Sequence, residues 1–134
     1  MFLRALVALV LAALGAFAVA SGPSETFAAR ACSAVDGDTI RCGSERIRIS
    51  NIDTPELGSH ARCAAEAELA ERAKRFTADR LAAGPVEIAR DTARPRDRYG
   101  RTLATVRVQG SDLGEALVAA GLARRWDGRR HPWC

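Results

Sequence analysis

Three short segments carry acidic and basic side chains of the kinds that bind metal ions and phosphate. They are residues 35–39, 52–56 and 97–101, which read VDGDT, IDTPE and DRYGR. Carboxylates near the first two turns are the hard oxygen ligands that a divalent cation prefers. Arginine in the third segment, and Arg48 five residues before Asp53, offer guanidinium groups that suit bidentate phosphate contacts. Together the segments predict a site that holds and cleaves a phosphodiester.

The acidic segments also have purely structural interpretations. Asp and Gly tolerate the backbone of a tight turn, and Thr-Pro-Glu is a common start of a helix. In the functional interpretation, the carboxylates of Asp38 and Asp53 and the carbonyl of Thr54 surround one ion. Glu56, three residues after Asp53, reaches the same cavity, where a carboxylate can bind a water and accept its proton.

Arg48 and Arg101 form the phosphate side of the predicted site, although an exposed arginine is more often only a solvated charge. Strand alternation does not fix the direction of Arg48, so a twist or bulge before Asp53 must turn it inward. Arg101 follows an arginine-rich loop that is suited to contact backbone phosphates. In that loop Tyr99 either stacks on a base or ribose or covers the edge of the core.

Alternating apolar patterns predict the strands that position these segments. The predicted strands are residues 31–35, 39–42, 46–49, 86–88 and 104–108. A two-residue hairpin turn is expected at Asp36-Gly37, between the first two strands.

Two helices are expected. Residues 62–83 contain neither Gly nor Pro and predict a long helix that ends at Gly84-Pro85. Its buried face is expected to consist of Ala65, Leu69, Ala73 and Phe76. A short helix over residues 113–120 is expected to be capped by Ser111 or Asp112 and to end at Gly121.

This order of elements predicts an α+β fold that is mainly β. Five short strands, a long helix between strands 3 and 4 and a short C-terminal helix are compatible with a five-stranded OB-fold barrel. Other α+β arrangements share that order, and the periodicity alone does not separate them.

The N-terminal residues have the composition of an export signal. Residues 1–20 combine Arg4, an apolar stretch and a small-x-small ending, typical of a signal peptide cut after Ala20. An uncleaved membrane anchor is the alternative, because the apolar run is close to the minimum length for a membrane span. Residues 21–30 are expected to be a disordered lead-in, and residues 31–134 one domain. The expected location is the periplasm or the outside of the cell.

Four cysteines in an exported chain favour disulfides. Cys32 and Cys42 each lie five residues from Gly37, so a hairpin centred there brings them opposite each other. Cys63 is then left to pair with Cys134, which would tie down the C-terminal tail. A zinc site is disfavoured because the sequence has no Cys-x-x-Cys pair and only two histidines.

Net charge adds little to these predictions. The chain carries +4, and loss of Arg4 with the signal leaves 19 basic and 16 acidic residues, or +3. Lys74 is the only lysine. Arginine suits bidentate phosphate contacts, but codon composition explains the bias equally well.

The motifs resemble those of the staphylococcal (thermonuclease) nuclease family. The similar segments are DGDT at 36–39, Arg48, DTPE at 53–56, DRYGR at 97–101, EALV at 115–118 and GLA at 121–123. They cover nearly the whole predicted domain in the expected order. Members of this family have a five-stranded OB barrel with helices, so the resemblance supports that fold.

The resemblance implies a role for eight residues. The calcium ligands would be Asp38, Asp53 and the Thr54 carbonyl oxygen. The catalytic residues would be Arg48, Arg101 and Glu56, with Glu56 as general base or water-positioning group. The nucleotide site would be lined by Arg98 and Tyr99. The two arginines that act in catalysis would hold the phosphate and neutralise charge in the transition state.

The implied function is a Ca²⁺-dependent endonuclease that hydrolyses DNA and RNA with low sequence specificity and leaves 3′-phosphate ends. It would act as a monomer without a stable protein partner and would touch the membrane only through an uncleaved signal. The tail after Ala123 lacks the tyrosines that pack near the base in typical relatives. Trp126 is the candidate substitute, and the base preference stays open.

Two other functions compete with this one. The main alternative is a non-catalytic OB-fold module that binds single-stranded nucleic acid through a basic groove. The carboxylates argue against it, because they weaken phosphate binding unless a cation offsets them. A calcium-stabilised structural domain of the envelope is the third possibility, but it gives Arg48 and Arg101 no purpose.

Overall fold

The structure is a computed structural model that describes residues 26–29 and 31–134. The predicted signal at residues 1–20 lies outside this part of the chain, as do most residues of the predicted lead-in. None of the described helices is long and apolar enough to cross a membrane.

Nine strands and two α-helices follow one another along the described residues. The strands are β1 (Thr26–Ala29), β2 (Cys32–Ala34), β3 (Thr39–Cys42), β4 (Glu45–Ile49), β5 (Ile52–Asp53), β6 (Val86–Arg90), β7 (Thr102–Val108), β8 (Ser111–Asp112) and β9 (Arg124–Arg125). The helices are α1 (Ala64–Ala82) and α2 (Leu113–Ala119), and a 3-10 turn spans Gly58–His60.

Seven strands form one curled sheet in the order β1-β6-β7-β4-β3-β2, with β8 paired to β7. All of these pairs are antiparallel except that of β4 with β7. Strands β5 and β9 form a separate antiparallel ribbon. The five predicted strands correspond to β2, β3, β4, β6 and β7. The mainly β, OB-like fold with two helices is therefore confirmed.

The core lies where β3, β4, β6 and β7 meet the two helices. Val86 pairs with Val108 and Ile88 with Val106, and all four side chains are buried. Each such side chain stabilises the fold by about 1.5–3 kcal/mol relative to exposure. The alternation along β7 directs its other face away from the core, so the register of the sheet is fixed.

The buried face of α1 differs from the predicted one. The buried residues of α1 are Glu66, Ala70, Ala73, Thr77 and Leu81. Leu69 and Phe76 are only half-buried, and Ala65 is exposed. The prediction was right for Ala73, which is buried, and Leu69 and Phe76 pack against the core. The rest of the face differs because two polar side chains on it make bonds that an apolar pattern cannot reveal. One of them is the Thr77 hydroxyl, which donates to the Gly37 carbonyl at 2.8 Å.

The turn between β2 and β3 is longer than the predicted two-residue hairpin. It spans residues 35–38, because the Thr39 carbonyl accepts hydrogen bonds from the N–H groups of both Val35 and Asp36. Gly37 is required there by a close approach: a Cβ at this position would lie 2.8 Å from the Cβ of Ala73. Helix α1 therefore packs directly on the turn that precedes Asp38.

The predicted disorder of residues 21–30 is wrong for Thr26–Ala29. These residues form β1, which pairs antiparallel with β6 at the edge of the sheet. Main-chain pairing at the edge of a sheet needs no alternating side-chain pattern, so no periodicity marks this strand. The short helix is close to prediction: the Asp112 carboxylate caps α2 by accepting from the Glu115 N–H at 2.9 Å.

Candidate active site

Four predicted residues lie together beneath an open cleft, and we call Asp38, Arg48, Asp53 and Thr54 the site floor. Each is less than a tenth exposed. Nη2 of Arg48 lies 3.3 Å from Oδ2 of Asp38 and 3.6 Å from Oδ1 of Asp53. The structure therefore brings together residues that are up to 16 positions apart.

A turn, not the predicted twist or bulge, aims Arg48 at Asp53. Strand β4 ends at Ile49, the chain turns at residues 50–51, and β5 begins at Ile52. Nη1 of Arg48 donates to the carbonyls of Ile49 and Ile52, the second at 2.8 Å. The backbone of this turn thus holds the guanidinium between the two aspartates.

The floor carboxylates are short of partners. Oδ1 of Asp53 is buried and has no hydrogen-bond partner among the described residues. Oδ2 of Asp38 accepts only a long bond, 3.3 Å, from the Thr54 N–H besides its contact with Arg48. Two buried carboxylates with an orphaned oxygen suit a hard cation. The residues present therefore fit a calcium site.

The pKa shifts of Asp53 on the floor and of Asp36 in the turn before Asp38 point the same way. Burial raises the pKa of Asp53, and the neighbouring Asp38 charge adds to that effect against the opposing pull of Arg130, Arg48 and Trp133. Burial and Asp38 also raise the pKa of Asp36 to about 6. Burial, followed by the neighbouring negative charge, makes each of these carboxylates harder to ionise, a cost that a bound cation would offset.

Arg101 is connected to the floor through Thr39. Its Nε pairs with Oδ2 of Asp97 at 2.7 Å, and its Nη1 donates to the Thr39 hydroxyl at 3.2 Å. That hydroxyl donates in turn to Oδ1 of Asp38 at 3.2 Å. Burial alone would raise the pKa of Asp97, but the bonds and charge of Arg101 hold it below its ordinary value. Arg101 is thus fixed at the cleft by a charged partner.

Tyr99 lies at the exposed edge of the cleft and is 65% exposed, so the alternative in which it covers the core is wrong. Its ring centroid is 4.8 Å from the Arg98 guanidinium carbon and 5.5 Å from that of Arg101. Nη2 of Arg98 also lies 2.7 Å from the Tyr99 hydroxyl. An aromatic face flanked by two cations is suited to a base or ribose beside a phosphate.

The cleft has a volume of about 970 Å³. Six of the predicted residues line it, namely Arg48, Asp53, Glu56, Arg98, Tyr99 and Arg101. Asp38 and Thr54 are buried below and do not reach its wall. The C-terminal tail supplies another part of the wall, including Trp126, Arg130 and Trp133.

Two residues that hold Glu56 were missed by the sequence analysis. The Glu56 carboxylate pairs with Arg130, and its N–H donates to Oε1 of Glu66 at 3.1 Å. Glu66 is buried in the first turn of α1 and also accepts from the Arg62 N–H at 2.8 Å. Glu66 lies four residues before the buried Ala70, and this helical spacing could have placed Glu66 on the inner face of α1. No local pattern indicates the position of Arg130.

Both predicted disulfides are present. Cys32 and Cys42 are direct partners on β2 and β3, with Cα atoms 4.2 Å apart. Cys63, the N-cap of α1, is bonded to Cys134 with Cα atoms 6.1 Å apart. A potential metal-binding group of Cys63, Cys134 and Glu66 has both sulfurs committed to this bond. The expectation of disulfides over zinc therefore agrees with the structure.

Comparison with known proteins places these features in a family. A family model described as staphylococcal nuclease homologue matches residues 46–132. The SPbeta prophage-derived endonuclease YokF of Bacillus subtilis (strain 168) is 36% identical over 95 residues, covering 68% of this chain and 31% of that protein. Endonuclease YncB of the same strain is 34% identical over 95 residues, covering 68% and 44%.

A third relative has a different kind of name. The succinoglycan biosynthesis protein ExoI of Rhizobium meliloti (strain 1021) is 30% identical over 99 residues, covering 68% of this chain and 48% of that protein. The chain thus spans less than half the length of each of these three relatives. The family model nevertheless covers most of the described residues, and the chain belongs to the family of staphylococcal nuclease homologues.

Proposed function

We propose that this domain is a calcium-dependent endonuclease that hydrolyses phosphodiester bonds of DNA and RNA with low sequence specificity. The observation that carries the proposal is the site floor, where buried Asp38 and Asp53 flank Arg48 and Thr39 links Asp38 to Arg101. Membership of the nuclease family and the names of two relatives support it.

The metal side would consist of Asp38, Asp53 and the Thr54 carbonyl. Calcium bound there would supply positive charge that polarises the phosphoryl oxygens. The short segment from β5 to Thr54 holds two of these groups on adjacent residues. The Thr54 N–H bonded to Asp38 ties this segment to the turn before β3, so the protein ligands are ordered before any substrate arrives.

The two arginines would bind the scissile phosphate and offset the charge that builds on it. The bonds of Arg101 to Asp97 and Thr39 leave its Nη2 without a hydrogen-bond partner in the described part of the chain. Arg48 is held by two backbone carbonyls. Guanidinium groups that are fixed in advance lose little freedom in the transition state.

Glu56 would position the attacking water and take its proton. Its carboxylate lines the same cleft as Asp53 and Arg101. A carboxylate is a competent general base when it lies within hydrogen-bond reach of the nucleophile. Water attack in line with the leaving oxygen would then complete hydrolysis.

The single-strand-binding alternative is weaker for a physical reason. A groove whose floor holds Asp38 and Asp53 repels phosphate unless a cation is bound. Binding alone therefore does not explain the acidic floor, whereas metal-dependent hydrolysis does.

Export is part of the proposal. The signal-like composition of residues 1–20 supports it, and two disulfides suit an oxidising compartment. Fractionation of cells expressing the full chain would test it, with the protein expected in the periplasm or the medium.

The activity is tested with purified protein, plasmid DNA and RNA in Ca²⁺ or EDTA. Loss of one charge-stabilising contact commonly costs roughly 10²–10³-fold in rate, so Glu56→Gln and Arg101→Ala are expected to lose that much. Arg107→Ala is the matched control, because Arg107 is an exposed arginine on β7, the strand that begins directly after Arg101. If both site variants digest DNA as fast as wild type, the assignment fails.

A further inference from the structure

The last residues of the chain form a strap across the cleft, residues 127–134, that is fixed at both ends. Before it, β9 pairs with β5 so that Arg124 lies opposite Asp53, and the Trp126 N–H donates to the Asn51 carbonyl at 2.9 Å. At its end, Cys134 is bonded to Cys63 at the start of α1.

Contacts within the strap and with Arg124, which precedes it, give the strap a defined path. The Arg124 guanidinium carbon lies 3.9 Å from the centroid of the Trp133 ring, and its Nη1 donates to the Pro132 carbonyl at 2.9 Å. Nε2 of His131 lies 2.7 Å from Oδ2 of Asp127. These contacts leave Arg130 in the middle of the strap, on the wall of the cleft.

Arg130 contacts Glu56 through one guanidinium nitrogen and one carboxylate oxygen, Oε1. No other described residue bonds the second oxygen of Glu56, so that oxygen can accept from a water. Glu56 lies in an irregular segment between β5 and the 3-10 turn. A long side chain on such a segment has several accessible rotamers, and a fixed partner reduces them.

The strap and the segment that carries Glu56 share one anchor. Glu66 holds the Glu56 N–H through Oε1, and its Oε2 lies 3.6 Å from Sγ of Cys134. The disulfide therefore sits against the same carboxylate that fixes the Glu56 backbone. Release of Cys134 would leave the strap held only by side-chain contacts such as those of the exposed Arg124 with Pro132 and Trp133, while β9 stayed paired with β5.

We propose that Arg130 is a positioning residue for Glu56 and that the Cys63–Cys134 disulfide keeps it in place. The inference rests on the proposed function, since Arg130 acts through the carboxylate assigned to the attacking water. It makes the rate of hydrolysis depend on the second disulfide and not on Cys32–Cys42, which joins β2 to β3 at the end of the hairpin opposite the turn that carries Asp38.

Steady-state kinetics on DNA test the role of Arg130. A small misplacement of a reacting group can cost roughly 10²-fold, so Arg130→Ala is expected to lower kcat by about 10- to 100-fold with little change in KM. Arg130→Lys should recover part of the loss. Arg129→Ala removes the same charge from the neighbouring position of the strap and should behave as wild type. Wild-type or higher activity of Arg130→Ala would overturn the inference.

A double-mutant cycle separates positioning from direct phosphate binding. Residues that act through one another are non-additive, so Arg130→Ala should cause no further loss when Glu56 is already Gln. If the loss persists undiminished in the Glu56→Gln protein, Arg130 acts on the substrate itself and the inference is wrong.

The disulfides are compared by paired serine substitutions and by hydrogen exchange, which does not depend on activity. Cys63→Ser with Cys134→Ser should reproduce the loss of kcat and accelerate exchange of the Glu56 amide, which is bonded to Glu66. Cys32→Ser with Cys42→Ser should do neither. Equal effects of the two pairs would overturn the inference. An inactive wild type would instead reject the proposed function, so the two failures are distinguishable.

Discussion

The floor and the rim of the cleft are held in different ways; the rim comprises Glu56, Arg98, Tyr99 and Arg130. Every floor residue is less than a tenth exposed and contacts the backbone or another floor residue. The side chains of Arg130 and Glu56 are 57% and 34% exposed, and Tyr99 is 65% exposed. The floor is therefore held by buried contacts that involve the main chain, whereas the rim depends on contacts between exposed side chains.

This difference separates two contributions to the site. Buried charges interact strongly, and removal of one partner leaves the others uncompensated. Exposed pairs contribute little to folding but can still fix the position of a reacting group. Substitutions on the floor should thus change stability and chemistry together, and substitutions on the rim should change kinetics alone.

The largest stability effect is expected from Arg48→Ala. It leaves Asp38 and Asp53 buried without their cation, so the free energy of unfolding in EDTA should fall by about 3–5 kcal/mol. Arg130→Ala on the rim should change it by less than about 1 kcal/mol. Urea denaturation measures both, and Ca²⁺ should restore part of the Arg48→Ala loss. Equal free energies of unfolding of the two variants would contradict the distinction between floor and rim.

A smaller effect is expected from pH in the absence of calcium. The pKa of Asp36 is about 6 in the folded protein and 3.8 ordinarily, so the folded state binds more protons between these values. Stability should therefore fall by about 2 kcal/mol as pH rises from 4 to above 6. Comparison of wild type with Asp36→Asn isolates this contribution, because urea denaturation of the Asn protein should show a smaller decrease, with the remainder coming from the raised pKa of Asp53. A decrease of the same size in both proteins would show that groups other than Asp36 cause it.

The smallest effect is expected from Tyr99. Base stacking on an aromatic ring is worth about 1–3 kcal/mol, and the low end suits a ring this exposed. Tyr99→Ala should therefore raise KM by about fivefold and leave kcat and the unfolding midpoint unchanged. Tyr99→Phe keeps the ring and serves as the control. A fall in kcat of Tyr99→Ala with unchanged KM would place this residue in the chemistry instead.

The floor was more accessible to sequence analysis than the rim. Asp38, Arg48 and Asp53 adjoin short alternating strands, so their approximate positions follow from the order of the elements. The turn at residues 50–51 and the longer turn at residues 35–38 were missed because they depend on main-chain bonds and on the packing of α1. These errors displaced the predicted ends of strands and turns by a few residues. They did not change which residues were predicted to lie together on the floor.

The rim depends on contacts between residues that are far apart in the sequence, so no local sequence pattern indicates them. Arg130 and Glu56 are 74 residues apart, and nothing in the spacing of either residue indicates the other. The predicted Cys63–Cys134 bond was the one indication that the tail returns to α1, but it did not identify which tail side chain enters the cleft. Glu66 was missed because a carboxylate on the inner face of a helix breaks the apolar periodicity.

The most direct test of the central claim is the rate of plasmid cleavage as free Ca²⁺ is titrated against EDTA, for wild type and Asp53→Asn. Wild type should cleave with a saturable dependence on Ca²⁺ and stop in EDTA. Asp53→Asn should need far more Ca²⁺ and remain slower by roughly 10²–10³-fold. Equal cleavage by both proteins in EDTA would contradict the assignment of the floor as a calcium site.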